Sequence, residues 1–229
     1  ARFTPLSTGT EMTDTAEVTF TSGLPTICGG EVDDTDPTNA VGNCLKVATD
    51  SAGQWLTSTP SIAVMNALGY AVDDSETNDG ATYAATYTES GTYGPVDGVF
   101  AKFRQDGATA INPADGGDGS DGQFDRWCQK LNTLEFGGQT TWRRPTWLEL
   151  MAFYQKYGDE GAEFGLWSAR GWPTDFTYWA STSSNPSSYD SVELLNGFVG
   201  HRSPGDDTYA SCIASPPSPT ICGTGVDDT

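Results

Sequence analysis

An eleven-residue segment sets the length of the folding unit. Residues 25–35 (PTICGGEVDDT) return as residues 219–229 (PTICGTGVDDT), with nine of eleven positions identical at an offset of 194. A period this long is that of a whole domain rather than of a solenoid turn. The expected organisation is therefore a tandem array, of which the chain carries one copy and the first residues of the next. Residues 1–24 are read as a spacer or the end of a preceding domain, 25–215 as the domain, and 216–229 as a linker and the start of the following copy. The recurrence also accounts for an odd number of cysteines. Of Cys28, Cys44, Cys128, Cys212 and Cys222, the last is the next copy's equivalent of Cys28; its other reading is a free reactive thiol in a Ser-Pro-rich setting. Cys28 and Cys44 then close a short acidic loop, and Cys128 and Cys212 a long one. Chain entropy assigns these loops about 3 and about 4.5 kcal/mol. The spacings are not those of a zinc site, and a disulfide framework indicates an oxidising, extracellular compartment.

The charge balance narrows the partners. With 31 acidic against 11 basic side chains and a net charge of -20, the chain lacks the clustered Lys and Arg that bind phosphate backbones, so nucleic acid is excluded. No stretch approaches the roughly 20 apolar residues of a membrane-spanning helix. The first ten residues lack the basic-then-apolar layout of a signal peptide, which reads as a mature fragment of something larger. Only 18% of residues are charged and 27 are Gly, while seven Trp are present. That combination favours a loop-rich mixed fold with a core of a few large side chains. Asp supplies 21 of the 31 acidic residues, a bias that serves solubility or calcium ligation.

Periodicity places the main elements. Thr59 and Pro60 open a helix with Ile62, Met65 and Leu68 on one face and Gly69 as its stop. A second helix starts with a capping box, Thr146 with Glu149, and continues as a stripe of Trp147, Leu150, Met151 and Tyr154 to Gly158. A shorter helical turn over 124–131 carries Cys128 inward. Residues 98–104, 190–195 and 209–213 read as strands, and the alternating run 16–20 as an exposed strand of the spacer or domain edge. Long loops fill 73–98, 106–122 and 158–191, lengths that are usually functional or disordered.

The order of Trp127, Cys128 and Leu131, then Gly137 and Gly138, then Trp142, Arg143, Pro145, Thr146, Glu149 and Leu150, then Tyr178, Trp179, Ser181 and Thr182, then Asn196 and Gly197, then Cys212, resembles bacterial C-type lectin-like domains. The match spans about 124–214. Earlier, Gly42 to Leu45, and Trp55 through Ser61 with Ala67 through Tyr70, resemble the opening of such domains in tandem-repeat surface proteins of the intimin and invasin type. The resemblance implies an α+β fold with small antiparallel sheets, two main helices and long loops. Two departures matter. Arg144 stands where that family has Leu, so one buried contact is expected to be exposed or salt-bridged instead. The calcium–sugar signatures of animal lectins are absent, Asn185 and Pro186 being the nearest fragment.

Three regions are candidate sites. Asp115, Asp118, Asp121 and Asp125 sit on a glycine-rich loop that bends readily around a hard cation, and are read either as a Ca2+ site or as a solvated turn cluster. Asp33, Asp34 and Asp36 form a second, similar candidate. The loop 166–179 carries the residue types that dominate binding hot spots. Trp167 and Trp172 there are read as ligand contacts or local packing, with Arg170 in the same run and Asp175, Tyr178, Tyr189 and Asp190 as a polar rim. Trp142, Trp147 and Trp179 are read as packing. His201, near Ser203 and Asp206, does not make a catalytic triad from sequence proximity alone, and no phosphate-binding glycine loop opens a helix. The expected function is a non-enzymatic adhesion module of a bacterial surface or secreted protein, binding a host or neighbouring-cell glycan or protein. The alternatives are a structural spacer repeat and a retroelement-diversified ligand-display protein.

Overall fold

The computed structural model describes residues 23–158 and 165–215. The second copy of the recurring segment, Cys222 and the run 16–20 lie outside them.

The chain enters through β1 (Thr26–Ile27), which pairs in parallel with β2 (Cys44–Leu45). The Cys28–Cys44 disulfide closes the same corner. β3 (Val47–Thr49) turns back into β4 (Trp55–Thr57) through a bend in which the Asp50 carboxylate accepts from the backbone N–H of Ala52 and Gln54. Next comes α1 (Ile62–Ala67), capped by the Ser61 hydroxyl, which accepts from Val64 N–H. β5 (Ala71–Val72) and β6 (Thr82–Tyr83) form a short parallel pair. β7 (Ala85–Thr88) and β8 (Val99–Lys102) form an antiparallel hairpin that carries the loop 89–98 at its tip.

The helical layer follows. α2 (Gln123–Thr133) buries Phe124, Trp127, Cys128 and Leu131, the i, i+3, i+4, i+7 face of an amphipathic helix. α3 (Trp147–Gly158) begins in the anticipated capping box: Glu149 Oε2 accepts from Thr146 N–H at 2.8 Å, and Thr146 Oγ1 accepts from Glu149 N–H at 3.3 Å. Its deepest residues are Leu150, Phe153 and Tyr157, with Trp147, Met151 and Tyr154 half-buried at the flanks. α4 (Gly165–Arg170) is a short turn. The chain then forms a meander of β9 (Tyr178–Asn185), β10 (Ser188–Val192) and β11 (Val199–Arg202), and ends in β12 (Ile213–Ala214). β12 adds to β4 on the side opposite β3, so the end of the described chain lies in one sheet with strands from its beginning.

This is a mixed α/β arrangement with small, mostly antiparallel sheets and helices packed on them. The expected helices stand where the periodicity placed them. Of the long loops, 73–98 contains β6 and β7, and 158–191 contains α4 and β9. Two clusters make the core. One gathers around Trp127, which stacks on Phe103 with centroids 5.9 Å apart and meets Tyr70 edge-on. The other gathers Phe153, Tyr157, Trp172, Tyr178 and Tyr209 under α3. The Cys128–Cys212 disulfide ties α2 to the segment that leads into β12.

Candidate functional site

The acidic loop does not gather its carboxylates. Asp118 turns back on the hydroxyl and N–H of Ser120. Asp125 accepts from Asp121 N–H and Gln129 with one oxygen, and from Arg144 Nε at 3.0 Å with the other. The guanidinium of Arg144 is buried and also donates to the Asp118 carbonyl at 2.9 Å and to Gln105 at 2.8 Å. The residue that departs from the family pattern is thus salt-bridged, and it is the cation of this loop. Asp115, Asp118, Asp121 and Asp125 do not converge as calcium ligands. In the second cluster Lys46 Nζ donates to Asp34 Oδ2 at 2.6 Å and to the Asp36 carbonyl, while the Asp33 carboxylate accepts from Thr49 and Tyr157 and that of Asp36 from Thr38. Among the described residues no group of three or more His, Cys, Asp or Glu is placed to hold a metal ion.

Most of the expected aromatic rim is core. Trp172 is 1% exposed, its ring 4.9 Å from that of Phe153. Tyr178 and Tyr189 are fully buried: the Tyr178 hydroxyl donates to the Pro173 carbonyl, and Tyr189 lies edge-on to Trp179. Arg170 is committed to packing, with its guanidinium 4.1 Å from the centre of the Tyr157 ring. Asp190 faces His201 Nδ1 at 2.9 Å, a pair imposed by the β10–β11 register. Asp206 accepts from Ser203 N–H instead of orienting that histidine. Trp172 and Arg170 serve the fold because loop 166–179 lies down on α3, against Phe153 and Tyr157, where burying a large aromatic face is favourable; Tyr189 belongs to the Trp127 cluster.

Trp167 differs from its neighbours. It is half-buried on α4 and lines a trough of about 440 Å³ with Pro37, Thr38, Val41, Pro95, Val96 and Ser168. Val41 is 42% and Val96 69% exposed. Three separate segments build the walls: the turn over 37–41, the tip of the β7–β8 hairpin, and α4. Composition gave no warning of this. Pro95 and Val96 are two apolar residues inside a polar loop, a signal visible only in retrospect.

The hairpin tip is held from below. Asp175 accepts from the N–H and hydroxyl of Ser90, at 2.8 and 2.6 Å. Thr174 N–H donates to the Tyr93 carbonyl at 3.0 Å. Beneath these contacts Glu89, 1% exposed, accepts from the Tyr209 hydroxyl at 2.5 Å and from Asp175 N–H at 3.2 Å. Burial pushes its carboxyl up to about 8, outweighing the hydrogen bond from Tyr209, and the Asp175 charge adds to the rise.

No family model matches the chain, and no curated protein sequence does. Among solved structures the chain is similar to the Yersinia pseudotuberculosis adhesin InvE, at 17% identity and a TM-score of 0.42. The match covers 73% of this chain and 33% of that one, so the chain spans about a third of the length of that adhesin.

Proposed function

We propose that the chain is a non-enzymatic recognition module, a C-type lectin-like domain of a repetitive bacterial surface or secreted protein that holds an apolar segment of a protein partner in the Trp167 trough. The observation that carries this reading is the trough itself: Trp167, Val41, Val96 and two prolines from three segments present apolar surface around one concavity. Exposed apolar patches of this kind mark interaction sites, and a Trp anchor in such a patch is the usual energetic centre of an interface.

The lining favours protein over glycan. Of its side chains only those of Thr38 and Ser168 are polar, whereas a sugar needs a partner for most of its hydroxyls. A net charge of -20 favours a partner whose flanks are basic, since such charge speeds encounter more than it adds affinity. The two disulfides support an oxidising, extracellular setting for the module. Arg144 and Lys46 serve as built-in counter-charges in the acidic loops, which supports binding that does not depend on calcium.

The test is a host-protein pull-down and a glycan array run in parallel on the wild type and Trp167→Ala, each with calcium and with chelator. The expected result is a protein retained by the wild type, weakened at least about tenfold in Trp167→Ala, and indifferent to chelator. Retention of a glycan instead would replace the partner class. Failure of the folded chain to bind anything would leave the spacer reading in its place.

A further inference from the structure

The wall of the trough built by Pro95 and Val96 stands on a buried carboxyl. Glu89 opens the tip of the β7–β8 hairpin, and two hydrogen bonds join it to that wall: Glu89 N–H donates to the Gly98 carbonyl at 2.8 Å, and Gly98 N–H to the Pro95 carbonyl at 2.9 Å. Two glycines allow the close packing. A Cβ on Gly94 would fall 1.8 Å from Glu89 Oε2, so the tip closes directly over the carboxyl. A Cβ on Gly98 would stand 3.0 Å from Val41 Cγ1, so the same tip lies against a residue of the facing wall.

Each oxygen of Glu89 has one neutral donor, the Tyr209 hydroxyl at 2.5 Å and Asp175 N–H at 3.2 Å. A neutral carboxyl is served by that; a buried carboxylate needs further donors or a cation. The groups that face it supply neither. The Asp175 carboxylate repels it, and the hydroxyls of Tyr209, Tyr178 and Tyr87 are kept protonated by burial. Tyr93 and Asp97 belong to the tip itself. Lys102 is paired with Asp207 at 2.6 Å, and Arg202 and Glu193 line the cleft that Asp175 borders. Among the described residues no cation forms an ion pair with Glu89. Asp175 also bears the joint that holds the tip, because its carboxylate accepts from Ser90 and its neighbour Thr174 donates to the Tyr93 carbonyl. A charge on Glu89 therefore acts across that joint.

We propose that the proton on Glu89 latches the trough: while it is held, Pro95 and Val96 stand as a wall beside Trp167, and when it leaves to solvent the joint parts and the wall comes away. Burial, outweighing the hydrogen bond from Tyr209, sets the change at about 8. The wall is thus in place at neutral pH and below, and released on the alkaline side. As regulation this rests on the trough reading, since a partner seated on Trp167 would lose one side of its site.

The test needs no partner, so its failure is distinct from a failure of the trough to bind. Carbon-13 and proton spectra of the full chain are recorded between about pH 6 and about pH 9.5, spanning the titration. The cross-peak between the Val41 methyls and the Gly98 α-protons should fade with one midpoint at about 8, while the Val47 methyls, in the Trp127 cluster, hold their positions and report an intact fold. Glu89→Gln should abolish the fading. Asp175→Asn, which keeps an acceptor for Ser90 and removes the repelling charge, should lower the midpoint. Fading that persists in Glu89→Gln, or a methyl shift with the cross-peak intact, would overturn the proposal. Should Glu89→Gln not fold, Asp175→Asn decides, and an unchanged midpoint overturns it equally.

Discussion

Lys46 and Arg144 are each the buried counter-charge of an acidic loop, paired with Asp34 and Asp125 respectively. Burial pulls the Asp34 carboxyl up, but the hydrogen bonds from Lys46 and Asn39 prevail and hold it below the ordinary range. Its contribution to stability is thus present above the usual carboxylate value and fades as the pH falls through the lowered one. Lys46→Ala should cost about 3–5 kcal/mol, since it strands a buried carboxylate, and chemical denaturation at neutral pH checks this. Glu89 has the opposite sign. Its folded value of about 8 exceeds the ordinary 4.5, so between these the unfolded chain is ionised while the folded chain keeps the proton. The penalty is absent below pH 4.5, grows as the pH rises, and is complete above about 8. Glu89→Gln keeps an acceptor for Tyr209 and removes that titration. Its melting temperature should exceed the wild type's at pH 8 and lose the difference near pH 4.5; parallel pH profiles for the two proteins would show that Glu89 ionises freely.

At the scale of elements, what could be read from the sequence was whatever local periodicity decides. The capping box of Thr146 and Glu149, the stripe of α3, and the inward Cys128 of α2 follow from spacings within one or two turns, and the structure forms them where expected. The loop 166–179 has no such period. Which of its aromatics turns inward depends on contact with Phe153, far away in sequence, and residue type alone ranked Trp172 and Trp167 together. The trough was illegible for the same reason, since its walls come from segments around 37–41, 95–96 and 167–168 that meet only in the fold. The two tryptophans now part company in their expected effects. Trp172→Ala should cost about 3–5 kcal/mol through the cavity it leaves. Trp167→Ala, at a half-exposed position, should stay within about 1 kcal/mol of wild type. Thermal melts of the pair decide the matter.

Across the whole molecule, the two disulfides do different work. Cys128–Cys212 closes a separation of 84 residues and binds the helical layer to the closing sheet, while Cys28–Cys44 closes 16 and fastens the corner where β1 meets β2. Replacing both Cys128 and Cys212 by Ser should cost about 2–5 kcal/mol, seen as a lower denaturant midpoint. The fastened frame leaves the Trp167 trough as preformed surface, and the account turns on whether that surface meets a partner. The most direct test is a nitrogen-15 spectrum of the seven tryptophan indoles, recorded while the protein retained in the pull-down is added. The Trp167 indole resonance should shift or broaden while those of Trp172 and Trp179 hold their positions. Movement of other indoles with Trp167 unchanged would put the binding surface elsewhere and contradict the account.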